Sequence, residues 1–303
     1  MRVNSILLTG ASGFLGQAIQ KELFSKYEIA TLGRSVQNRY VVDLGVEMPV
    51  FKESFDMVIH AAGRAHQVPR NTGQREAFYR DNLQASKNLL SALERNIGLP
   101  AAFVFISTVS VYGQDHGEMI SEDHPLEGTS PYARSKIEAE GLINNWCKER
   151  NVVPTVLRLP LVVGENPKGN LGAMIRMMKR GIYFGIGNGA ARKSMVLAED
   201  VARFIPDVAR IGGTYNLTDG FHPSILELEI SMMRKLNRGI PYRISNSVIQ
   251  RMAQLGNLFG ERFPLHPKNV SKLTSTLTFS DLKARNLVNW NSQVVINNLP
   301  RLI

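Results

Sequence analysis

Tyr132-Ala133-Arg134-Ser135-Lys136 places a phenol and an ammonium four residues apart, which on a helix is one face. A phenol gives up its proton near ~10, and a neighbouring ammonium favours the phenolate. The spacing therefore predicts that Lys136 lowers the pKa of Tyr132 until the phenol can act as a general acid or base near neutral pH. A second chemistry-bearing stretch is Thr9-Gly10-Ala11-Ser12-Gly13-Phe14-Leu15-Gly16. It follows the apolar run Ser5 to Leu8 and opens a helical pattern from about Gly13 to Lys26. Glycines on such a strand-to-helix turn let backbone amides approach a pyrophosphate, so Gly10, Ser12, Gly13, Phe14, Leu15 and Gly16 are candidate dinucleotide contacts. About twenty residues further on, where a carboxylate normally takes the ribose hydroxyls of NAD, the chain reads Leu32-Gly33-Arg34-Ser35. Arg34 and Ser35 suit a 2′-phosphate, so NADP(H) is preferred, with NAD(H) left open.

Positioning these groups falls to an alternation of short β-rich runs and helical stretches. Ser5 to Leu8, Ile29 to Leu32, Asp56 to His60, Phe103 to Ile106 and Val156 to Leu159 read as strands. Helices are expected from Gly13 to Lys26, from Asn82 to Arg95 and through Ser135 to Cys147. Such alternation predicts βαβ units, hence an α/β protein with a doubly wound parallel sheet. Beyond Gly164 the pattern changes. Gly and Pro cluster in Gly164 to Gly172, and an amphipathic helix with Met174, Ile175, Met177 and Met178 follows, the methionines reading as core. Helices are also expected over Ile225 to Leu236 and Val248 to Leu258. The expected division is a dinucleotide-binding domain of residues 1–164 plus about 191–220, with a smaller mixed substrate domain of residues 165–190 plus 221–303.

Taken together, the glycine turn with its Gly-x-x-Gly-x-x-Gly spacing, the segment Ile106-Ser107-Thr108-Val109-Ser110-Val111-Tyr112-Gly113 and Tyr132-x-x-x-Lys136 resemble the extended short-chain dehydrogenase/reductases, the epimerase/dehydratase type, over nearly the whole chain. The resemblance implies a Rossmann-type fold, with Thr108 hydrogen-bonded to the reacting sugar oxygen, Tyr132 moving the proton and Lys136 also holding the nicotinamide ribose. It implies further cofactor contacts from Asp43 and Leu44, from Ala61, Ala62 and Gly63 after His60, and from Pro160. On the substrate side it implies Ser110 beside Thr108, Asn170 and Lys193 at a nucleotide diphosphate, and Phe184 at the base. The chain departs from the pattern after the strand ending at Leu159, where Arg158-Leu159-Pro160-Leu161 has Leu161 in the place of the Asn that many epimerases carry, and at Lys193, where they carry Arg; a lysine offers a point charge instead of a bidentate fork. Relatives that dehydrate carry Asp-Glu after the catalytic Thr, and here Val109 and Ser110 stand there, so dehydration lacks its acid and base. A 4-ketoreductase and a 4-epimerase remain, and the Arg34-Ser35 pair favours the reductase. The stretches Gly63 to His66 and Arg192-Lys193-Ser194 also resemble bacterial reductases of UDP-linked 4-keto-6-deoxy-N-acetylhexosamines in surface-polysaccharide pathways. A non-catalytic NADP-binding sensor or assembly factor is a different class, and such proteins commonly lack part of the Thr/Tyr/Lys set.

Composition narrows the setting. The chain has 303 residues, 44% hydrophobic, with a formal charge of +10. Its Lys and Arg are scattered with no long basic run, so nucleic acid is not the expected partner; a diphosphate ligand or an anionic membrane surface would use the charge equally well. The single cysteine, Cys147, reads as part of a helix end and fits a reducing compartment. No segment approaches the roughly 18 apolar residues of a membrane span, and the N-terminal apolar run is too short for a signal peptide. The expectation is a cytoplasmic enzyme of nucleotide sugars with no resident metal, a homodimer staying open.

Overall fold

The computed structural model describes residues 3–65, 69, 71–165, 167, 169–245, 247–248 and 274–302, the side chains of residues 170 and 302 excepted. Its centre is a seven-stranded sheet in which every pairing is parallel. The strands are β1 (Ser5–Thr9), β2 (Glu28–Gly33), β3 (Tyr40–Val41), β4 (Met57–His60), β5 (Ala102–Thr108), β7 (Val153–Leu159) and β11 (Gly213–Asn216), in the spatial order β11-β7-β5-β4-β1-β2-β3. Alternate residues face opposite layers. Ile6, Leu8 and Val104 join Ile19 and Leu23 of α1 (Phe14–Leu23) and Val201 and Ile205 of α6 (Ala198–Val208) in one core. Leu7, Phe103 and Phe105 meet Leu89 and Leu93 of α3 (Ala85–Glu94) and Ile143 and Trp146 of α4 (Pro131–Glu149) in the other. Covered on both faces, β4 is wholly buried and carries the apolar run Met57-Val58-Ile59 before His60.

A third cluster lies away from the main sheet. Short strands β8 (Leu161–Val163) and β10 (Met195–Leu197) pair in parallel, and their Val163, Met195 and Leu197 pack on α5 (Gly169–Arg180), α7 (Ile225–Lys235) and α9 (Val295–Leu302) through Ile175, Met178, Met232 and Leu299. Two further parallel pairs complete the described strands: β9 (Gly185–Ile186) with β12 (Arg243–Ile244), and β6 (Gly117–Ile120) with β13 (Leu277–Phe279). α8 (Leu282–Val288) follows β13 and puts Ala284 and Val288 into the first core.

The expected helix Asn82–Arg95 is built differently. An α-helix, α2 (Thr72–Phe78), runs into a π-helical turn at Tyr79–Gln84 before α3 begins. The wider turn rotates Asn82 inward, where it is 1% exposed. The helix expected over Val248 to Leu258 falls almost wholly outside the described residues, as do His66, Lys272 and Leu273. No helix among the described residues is long and apolar enough to cross a membrane.

Candidate active site

The C-terminal ends of β1, β2 and β4 meet around a cleft of about 360 Å³. Gly10, Ser12, Gly13, Arg34, Asp43, Leu44, Ala61, Ala62 and Gly63 line it. Two glycines there admit no side chain. A Cβ on Gly16 would stand 2.1 Å from the Gly10 carbonyl, and one on Gly10, whose φ is +72°, would stand 2.6 Å from Ala62 N. Gly13 caps α1 without offering its first turn any side-chain acceptor, so those amides are open to an anion. Phe14, Leu15 and Gly16 form that turn, with Leu15 packed on the core and Phe14 against Gly164. Arg34 is exposed at the end of β2 and forms no ion pair among the described residues, while the Ser35 hydroxyl is bonded to Gln37. Asp43 accepts from the Gly45 amide at 3.0 Å, and Pro160 is half-buried between β7 and β8. The residues present fit a dinucleotide.

Beneath the cleft lies a lock that sequence reasoning missed. His60 is fully buried, and burial pushes its pKa down to about 3, so the ring is neutral. Ser86 donates its hydroxyl to the Asn82 carbonyl at 2.7 Å, which leaves its oxygen to accept from His60 Nε2 at 2.9 Å. His60 Nδ1 then accepts from Thr9 Oγ1 at 2.7 Å, and Thr9 Oγ1 accepts from Ala62 N at 3.1 Å. Asn82 extends the lock: its Oδ1 accepts from Arg64 N at 2.8 Å and its Nδ2 donates to Ser135 Oγ at 2.8 Å. A Cβ on Gly63 would stand 2.6 Å from Asn82 Oδ1 and 3.3 Å from Lys136 Nζ. The available signal was a pair of polar residues, Asn82 and Ser86, on the apolar face of a helical pattern.

Thr108 ends β5 and caps a 3₁₀ turn, Val109–Tyr112, accepting from Ser110 N at 3.2 Å and donating to the exposed Ser110 Oγ at 3.2 Å. α4 starts on Ser130, whose hydroxyl accepts from Ala133 N, with Pro131 at its first position. That start sets Tyr132 at the helix mouth, half-buried, its hydroxyl hydrogen-bonded to Thr108. Burial raises the Tyr132 pKa, and the Thr108 bond only partly opposes it. Here the structure departs from the spacing argument, which expected a lowered phenol pKa. Lys136 Nζ donates to the Ile106 carbonyl at 2.8 Å and lies 4.4 Å from the Phe105 ring centre. Burial drops the Lys136 pKa to about 8, with Glu140 opposing the drop. Glu140 continues the same helix stripe and holds Arg158 in a buried pair at 2.8 Å.

The substrate-side expectations fall elsewhere. Lys193 donates to the Ser275 carbonyl at 2.7 Å; burial lowers its pKa and the charge of Asp115 raises it. Asn170 lies in the first turn of α5, its side chain outside the described residues. Phe184 is 54% exposed just before β9 and belongs to none of the hydrophobic clusters. Cys147 is buried and its thiol is pushed up to about 12, far from nucleophilic.

The chain is 25% identical to the N-acetyl-alpha-D-glucosaminyl-diphospho-ditrans,octacis-undecaprenol 4-epimerase of Escherichia coli O157:H7, over 92% of this chain and 88% of that one. It is 28% identical to the GDP-6-deoxy-D-mannose reductase of Pseudomonas aeruginosa, over 95% and 98%. A solved structure described as RMD from Pseudomonas aeruginosa complexed with NADPH superposes with a TM-score of 0.74 at 22% identity, over 99% and 97% of the two chains. The family pattern of NAD dependent epimerases and dehydratases matches residues 6–217, from the first strand of the sheet to its last. That match spans well over half of the sequence, and the chain belongs to the NAD dependent epimerase/dehydratase family.

Proposed function

We propose that the protein reduces the 4-keto group of a nucleotide-linked, UDP-linked, 6-deoxy-N-acetylhexosamine with NADP(H), in the building of a surface polysaccharide. The observation that carries the reading is Arg34, exposed at the cofactor cleft, with no carboxylate at the end of β2. Charge-assisted hydrogen bonds to a 2′-phosphate are roughly twice as strong as neutral ones. When bound, the nicotinamide supplies the hydride. The chain's own residues do the rest. The first-turn amides of α1 hold the pyrophosphate and Lys136 holds the ribose, a reading supported by the closeness of its Nζ to Gly63 in the cleft wall. Thr108 donates a hydrogen bond to the substrate oxygen, and Tyr132, kept protonated by burial, delivers its proton there. Lys193, a buried-leaning cation, together with Asn170 serves the substrate diphosphate.

Dissociation constants for NADPH and NADH test the reading. NADPH is expected to bind at least about tenfold more tightly, which needs only about 1.4 kcal/mol, and Arg34→Asp is expected to reverse the order. A second reading, a 4-epimerase that keeps NAD, is favoured by the Escherichia coli relative, which matches 92% of this chain. Stoichiometric NAD(H) in the purified protein, with interconversion of C4 epimers and no added cofactor, would replace the reductase by it.

A further inference from the structure

The pairing of β9 with β12 inverts the usual polarity of a surface ribbon. Arg243 stands opposite Gly185 and Ile244 opposite Ile186, and Gly185 N donates to the Tyr242 carbonyl at 2.9 Å, carrying the pairing one residue back. The strands are two residues each, and the residues flanking and within them divide by burial: Tyr183 and Arg243 turn to Glu229, while Ile182, Phe184, Ile240 and Tyr242 stand exposed. The inner side is polar. Tyr183 donates to Glu229 at 2.7 Å, and Arg243 pairs with that fully buried carboxylate while donating to the Gly187 and Ile186 carbonyls at 2.7 and 2.9 Å. The outer side is apolar, with Ile182, Phe184, Ile240 and Tyr242 exposed by 56, 54, 68 and 86%. Half-solvated ribbons normally bury the apolar side. One exposed apolar side chain needs no explanation, but four within three residues of one short ribbon mark a contact surface.

Cations surround this face. α5 ends in Lys179 and Arg180, α7 ends in Arg234 and Lys235, and Arg238 donates to the Lys179 carbonyl at 2.8 Å, tying the two helix ends together at the ribbon. No Asp or Glu occurs in residues 166–198 or 230–248. Cations at helix C-termini complement the dipole, which accounts for their place on the helices but not for the apolar side chains beside them. A second copy docked by the same face would set two positive rims against each other. We propose that this ribbon docks the protein on an anionic lipid surface. Ile182, Phe184, Ile240 and Tyr242 enter the headgroup boundary, and Arg180, Arg234 and Lys235 meet lipid phosphates. The inference rests on exposure and charge, whichever reaction the active site performs.

The test is co-sedimentation of the full chain with phosphatidylcholine vesicles prepared with and without phosphatidylglycerol. Binding is expected only to the anionic vesicles and is expected to weaken as salt is raised. Arg180→Glu/Arg234→Glu/Lys235→Glu, and separately Ile182→Ser/Ile240→Ser/Tyr242→Ser, should each lower partitioning at least about tenfold, with Tm and NADPH affinity unchanged. If the serine variant fails to fold, the charge variant, altered only at exposed positions, decides alone. Equal sedimentation of wild type and charge variant, or binding that ignores phosphatidylglycerol, overturns the proposal. So does a dimer in solution that the serine variant dissolves while vesicle binding is absent.

Discussion

In the proposed reaction Tyr132 and Lys136 carry the chemistry, and their surroundings decide how they share it. A reductase needs its proton donor charged with a proton before reaction, and burial raises the Tyr132 pKa to that end. Tyr132→Phe is expected to fold and to bind cofactor, yet to lose about 10²–10⁴-fold in kcat, as removal of a positioned acid does; steady-state kinetics check it. Lys136 titrates near 8 in the free protein, so kcat/KM for reduction should fall as pH rises through about 8, where the ammonium is lost. Lys136→Met should remove that inflection and weaken cofactor binding, and a pH profile that survives the substitution would detach Lys136 from the rate. Both residues were legible from their spacing. Their mutual geometry was not, because a helix face says which side chains are neighbours and not where a four-carbon stem ends. The carbonyl of Ile106, in a strand far away in sequence, decides that.

At the scale of elements, the parallel sheet was legible because short apolar runs of strand length alternate with longer helical stretches, although strands buried on both faces carry no period of their own. The π-helical turn before α3 left no trace in the pattern, because one extra residue in a turn shifts the apolar face without breaking it. Yet that turn aims Asn82 at the loop after β4 and at α4 simultaneously. Asn82→Ala would leave Arg64 N and Ser135 Oγ short of a partner, a loss of about 1–3 kcal/mol for a buried polar group. Thermal melting should show the destabilisation, and titration with NADPH should show weaker binding, since Gly63 and Ala62 line the cleft. A melting temperature lowered with cofactor affinity intact would make the turn a matter of packing alone. The β9 and β12 ribbon was equally hidden: its strands are two residues each, and its outward apolar residues defeat any rule that sends such residues to the core.

Across the whole molecule, the groups proposed for catalysis and cofactor binding come from the main sheet's strand ends, the turns that follow them and α4, while Asn170, Phe184 and Lys193 belong to later segments. Residues on regular elements were readable because periodicity ties their sequence place to a spatial one. Phe184, read as a base contact, lies in a segment whose geometry depends on distant partners, and it stands exposed. One feature reaches beyond the site to the protein's life in acid. His60 is held neutral in the native state and regains an ordinary pKa near 6.5 once the chain unfolds. Unfolded chains therefore take up one proton more than native ones between about 6.5 and 3, so stability is fully present above 6.5 and is lost as pH falls through that window. Each unit of pH costs about 1.4 kcal/mol from this one ring. Urea midpoints measured down that range should decline more steeply for the wild type than for His60→Gln. Protonation would strike at the Thr9 and Ala62 bonds under the cleft, so acid should release the dinucleotide and open the fold in a single linked event.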